Sequence, residues 1–125
     1  MSERVFLAVA GASGAISAAI DAVASHLLAG DPYRAALAAT AARYGLIHAA
    51  ALLGLALLVA RSRSVWGLAA GWLFVAGLAL FCGALDLVAL GAPAWLTALA
   101  PWGGTAFIVG WIALLIAALS PRPAA

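Results

Sequence analysis

The chain has 125 residues, of which 68% are hydrophobic and 8% charged, with a mean hydropathy of +1.19. A soluble domain carries roughly 25% charged and 45–50% apolar residues, and one this small could not hide so much apolar surface; lipid has to be the solvent. The net charge of +2, from six Arg, no Lys and four acids, is too sparse for a nucleic-acid footprint, and the single Cys82 excludes an internal disulfide or a CxxC metal motif.

A membrane span takes about 20 apolar residues for a hydrocarbon core about 30 Å thick. The first apolar run covers residues 5–28. Its VFLAVAGASGA opening has the small residues of a signal-peptide cleavage region. The run continues well past a usual signal core, so an uncleaved span is expected. Gly30-Asp31-Pro32 follows. Asp31 suits a helix cap and Pro32 the first helical position. A short Ala-rich helix should start there and lead into the second span, residues 41–60. Arg61-Ser62-Arg63-Ser64 is a tight polar link to the third span, residues 65–90.

Gly91-Ala92-Pro93 breaks that span. The Trp95–Trp102 segment is expected at the headgroup level, where Trp is favoured. Gly103 and Gly104 after Pro101 read as the turn that starts the fourth span, residues 103–119, before Ser120-Pro121-Arg122 ends it. The alternative for this turn is a set of free N–H groups that receives an anion or a headgroup. The fold class is therefore all-α: one domain of four transmembrane helices, with a short helix leading into the second. Arg4, Arg61, Arg63 and Arg122 fall on one side and Arg34 and Arg43 on the other. This bias places both termini in the cytoplasm.

The polar residues at membrane depth carry the functional reading. Ser13, Ser17, Asp21 and Ser25 recur every four residues on the first span, forming one stripe, with His26 beside its end. Thr40, Tyr44 and His48 share a face of the second span, and Cys82 and Asp86 one of the third. Alternating helix directions bring Asp21, His26, Arg43, Tyr44, His48, Cys82 and Asp86 to one leaflet. Three readings follow. In the structural one, Asp21 and Asp86 take hydrogen bonds or ion pairs from Arg43, Tyr44 or the histidines and tie the bundle. In the second, Asp21, His48 and Asp86, with His26 or Cys82, hold zinc or another divalent ion. In the third, a desolvated carboxylate and a histidine relay protons. No GxSxG, HExxH or Walker loop is present, so no enzyme is expected, and no cofactor is implied.

Three stretches carry a family resemblance. AVASHLL, ending after His26, looks like a GAFGAH stretch. RYGLIHAAALLGLALL matches a Tyr-Gln-x-x-His-Ala-Leu-Ala pattern at Tyr44 and His48. LFCGALDLVAL and APWGGTAFIVGW look like LFSGSLYxLAL and TPxGGxxFxxGW, matching at Gly83, Leu85, Pro101, Gly103, Gly104, Phe107, Gly110 and Trp111. Across almost its whole length the chain thus resembles the small bacterial membrane family known as domain of unknown function 423, which has a small eukaryotic transmembrane relative. The resemblance implies a four-helix membrane protein and supplies no activity. Asp21, Gly45 and Asp86 stand where that family has Gly, Gln and Tyr. The expected function is a non-enzymatic accessory or assembly subunit that packs in the bilayer on a larger membrane complex or on copies of itself. The alternative is a proton-linked or divalent-metal carrier using Asp21, His26, His48 and Asp86.

Overall fold

The computed structural model describes residues 1–120; Pro121 and Arg122, used above to end the fourth span and to count charge, lie outside them. The elements are α1 (Ser2–His26), α2 (Pro32–Ser62), α3 (Val65–Gly77), a π-helical stretch (Leu78–Cys82), α4 (Gly83–Ala89), a 3-10 stretch (Ala94–Leu99) and α5 (Ala100–Leu119). α3, the π stretch and α4 run on as one rod. Among the described residues, four helices are long and apolar enough to cross a membrane: Ser2–His26, Pro32–Ser62, Val65–Ala89 and Ala94–Leu119. The molecule is an all-α bundle of four membrane spans. Its near end holds Met1 and Leu119, and its far end the α1–α2 turn.

The caps set the boundaries. The Asp31 carboxylate accepts the Arg34 N–H at 3.1 Å, and Pro32 fills the first turn, where its missing N–H costs nothing. α2 then runs 31 residues without a break, about 46 Å at 1.5 Å per residue, so the Ala-rich lead-in and the second span are one helix. Arg63 takes a left-handed φ of 46° and reverses the chain, and Ser64 Oγ accepts the Gly67 N–H at 3.1 Å to start α3.

α1 packs along α2, α2 along the third rod, and the rod along α5. Phe6, Leu52, Leu55 and Phe74 are the largest fully buried side chains. A second cluster of Ile20, Ala24, Leu28, Ala38, Ala42 and Ala89 closes the far end. The outward side is apolar: Ile108, Ile112, Leu115 and Leu119 on α5, and Leu46, Ile47, Leu53 and Leu57 on α2, are all exposed. That is the pattern of a bundle solvated by lipid, where close packing rather than the hydrophobic effect holds helices together.

The third rod and α5 show how. Phe74 and Gly77 on one, and Phe107 and Gly110 on the other, form two Phe-x-x-Gly pairs running in opposite directions. A Cβ on Gly77 would strike the Phe107 ring, and one on Gly110 would lie 2.6 Å from Phe74 Cε1. Each ring fills the notch of the opposing glycine. One turn further, buried Gly103 rests on the π stretch itself, where a Cβ would meet the main chain of Leu80 and Phe81. Gly103 and Gly104 are thus not a turn. α5 already starts at Ala100, because Pro101 fits the first helical turn, and Gly103 serves close approach.

Candidate functional site

His48 is the most buried polar side chain at membrane depth, 2% exposed. It shares a face of α2 with Tyr44, one turn before it. Its Nδ1 lies 2.7 Å from the Tyr44 carbonyl oxygen, and the Trp111 indole N–H from α5 donates to its Nε2 at 3.1 Å. An indole nitrogen only donates, so Nε2 accepts. The ring proton then sits on Nδ1 and is donated to Tyr44 O. Both nitrogens are taken, and the imidazole is the neutral Nδ1–H tautomer.

Aromatic rings wall this imidazole. Phe107 stacks on it, with centroids 3.6 Å apart and planes 13° apart, and Phe74 meets it edge-on at 5.0 Å. Tyr44 packs on Phe81 at 4.8 Å. The cage thus draws on α2, α3, the π stretch and α5, and the glycine notches Gly77 and Gly110 hold two of its rings. Tyr44 and His48 stood out in the sequence. Phe74, Phe81 and Trp111 are partners that the sequence analysis does not assign to them, although the repeated Phe-x-x-Gly and the FIVGW stretch carry the signal.

The remaining candidates do not join this centre. Asp21, His26 and Arg43 are exposed. Ser25 Oγ donates to the main-chain oxygen of Asp21 at 3.0 Å, and the Asp21 carboxylate forms no ion pair among the described residues. Among the described residues the one ion pair is that of the Met1 ammonium with Glu3, so the expected pairing of Arg43 with Asp21 or Asp86 does not form. Position along a helix sets depth, and these residues share a depth, but Arg43 points away from the core. Nor do three His, Cys, Asp or Glu side chains among the described residues come together as a metal site. The set Asp21, His48 and Asp86 is not assembled, because Asp21 faces outward and His48 is closed by Tyr44 and Trp111.

Cys82 is a buried free thiol, one turn before Asp86. Asp86 Oδ1 is buried and has no hydrogen-bond partner among the described residues. A buried acceptor without a donor costs about 1–3 kcal/mol. Asp86→Leu is therefore expected to raise the thermal midpoint of the purified protein. A lowered midpoint would mean that Oδ1 has a partner.

Other polar groups tie helix to helix. Ser13 Oγ donates to Gly45 O at 3.4 Å, and Ser17 is buried where a Cβ on Gly45 would collide with its hydroxyl. Arg34 Nε donates to Ala89 O at 2.6 Å, fastening the start of α2 to the end of α4. In the sequence Arg34 shows only as an orientation charge.

Residues 20–104, which include the Tyr44–His48 pair and the Gly103 contact, match the family model described as "Protein of unknown function (DUF423)". The chain is 31% identical over 120 residues to the UPF0382 membrane protein YwdK of Bacillus subtilis, covering 93% of this chain and 97% of that one. The chain belongs to this family. It is also 31% identical over 121 residues to the UPF0382 inner membrane protein YgdD of Escherichia coli K12, covering 95% and 92%. A shorter likeness, 46% over 50 residues, reaches the UPF0382 membrane protein SERP0230 of Staphylococcus epidermidis, covering 40% of this chain and 41% of that one. No solved structure matches.

Proposed function

We propose that this chain is a non-enzymatic accessory or assembly subunit, which acts by packing against other membrane chains. The observation that carries this reading is the closure of His48. Its two nitrogens are held by Tyr44 O and Trp111 Nε1, so the group best placed for proton or metal chemistry serves instead to join α2 to α5. Ser13 and Arg34 join helices in the same way. The name of the Escherichia coli relative and the apolar helices support an inner-membrane location. Arg4, Arg61 and Arg63 at the near end support cytoplasmic termini.

The carrier reading has one observation on its side, the unpartnered Oδ1 of Asp86. It lacks the convergence of Asp21, His26, His48 and Asp86 that a relay would use. Extraction from the native membrane in a mild detergent, with mass spectrometry of what co-purifies, tests the proposal. Stoichiometric association, with other chains or with itself, is expected. A chain that purifies alone as a monomer would contradict it.

A further inference from the structure

The α1–α2 hairpin leaves two opposite charges without partners near the far border of the bilayer. Arg4, Arg61 and Arg63 stand at the near end, Asp31 caps α2, and Arg34 holds Ala89. Asp21 on α1 and Arg43 on α2 remain. Both are exposed, and neither is in an ion pair within the described residues. Their depths agree. Ser17 and Gly45 touch and set a common level. Asp21 lies four residues beyond it and Arg43 two, about 6 and 3 Å at 1.5 Å per residue. A lipid-facing Asp or Arg costs about 2.5–3.5 kcal/mol at the centre of a span, so a charge at the edge of the apolar zone gains from a partner of opposite sign.

The surroundings allow one. Ala18 and Ala22 beside Asp21 are exposed and small, while Leu46 and Ile47, one turn below Arg43, stand out at 46% and 50% exposure. A face with small residues on one helix and knobs on the next can receive its own copy. Within the chain the two charges form no ion pair among the described residues, and a second copy would bring each to a partner of opposite sign.

We propose that a second copy of this chain covers this face. The two hairpins pack about a twofold axis along the membrane normal, so that each Asp21 meets the Arg43 of the other copy. In a twofold contact residue i meets j and j meets i, which gives two pairs. This names one partner for the accessory role and rests on that reading.

The test uses two differently tagged full-length chains. Asp21→Arg and Arg43→Asp each put like charges together, and each is expected to weaken self-association by about a hundredfold, one tenfold step per lost pair. Co-expressing Asp21→Arg with Arg43→Asp restores both pairs between copies. The mixed dimer should form at the wild-type level, as should the dimer of the double variant. Both sites are exposed, and a cooperative thermal transition with the wild-type helical circular-dichroism spectrum verifies folding.

If the double variant associates but the single-variant mixture does not, the charges pair within one chain, and the proposal fails. If the single variants associate like wild type, the face is wrong. A monomeric wild type also overturns it, with lipid headgroups or water serving the two charges. In that case other chains co-purified from the native membrane leave the accessory reading standing, and none would end that reading as well.

Discussion

Gly103→Ala is expected to cost the bundle about 1–3 kcal/mol, the usual range for overpacking a tight contact. The added methyl would lie 2.7 Å from Phe81 Cβ and 2.9 Å from the Leu80 carbonyl carbon, and closer still to the Phe81 nitrogen. Two of these are main-chain atoms. A ring or a hydroxyl can turn aside, but a backbone cannot, so α5 must move off the third rod. The neighbouring notches would open with it, because Phe107 over Gly77 and Phe74 over Gly110 depend on the same separation. Thermal unfolding in detergent measures the effect. Gly11→Ala is the control. Nothing lies within 4 Å of its added Cβ, and a change within about 0.5 kcal/mol is expected for such a site. Equal midpoints for the two variants would contradict the close approach at Gly103.

His48→Ala is the second large effect. It removes a ring stacked at 3.6 Å on Phe107 and leaves the Trp111 indole without its acceptor. Emptying a large buried position costs about 2–5 kcal/mol. His48→Phe refills the volume and isolates the hydrogen bond, which within a membrane is worth about 0.6 kcal/mol on average and up to about 1.7. Trp111→Phe removes the other partner. The double variant His48→Phe with Trp111→Phe should then lose less stability than the two single losses added together. Strict additivity would mean that the two side chains do not depend on each other.

The spans were legible because hydropathy and length are enough when lipid is the solvent. Asp31-Pro32 and Ser64 were legible as helix starts because capping is local chemistry. The π stretch at Leu78–Cys82 has no local signature and belongs to the contact with α5. Pro101-Trp102-Gly103-Gly104 read as a turn because Pro and Gly punctuate chains, yet Pro is also at home in a first helical turn, and the glycines of a membrane helix serve packing as often as bending. Depth was readable for Asp21, Arg43 and His48 from their positions along each span. The side each one faces was not. It depends on which helix packs where, and that splits the expected cluster into a closed centre at His48 and two outward-facing charges, Asp21 and Arg43.

Ser13, Arg34 and His48 join one helix to another, and the proposed function holds that the intramembrane polar groups carry no ions. Purified wild-type protein in sealed liposomes tests this most directly, with proton and zinc flux followed by entrapped dyes. Rates equal to those of protein-free liposomes are predicted, with His48→Phe and Asp86→Asn altering thermal midpoints alone. A flux above background that either substitution abolishes would contradict the account and restore His48 and Asp86 to a transport path.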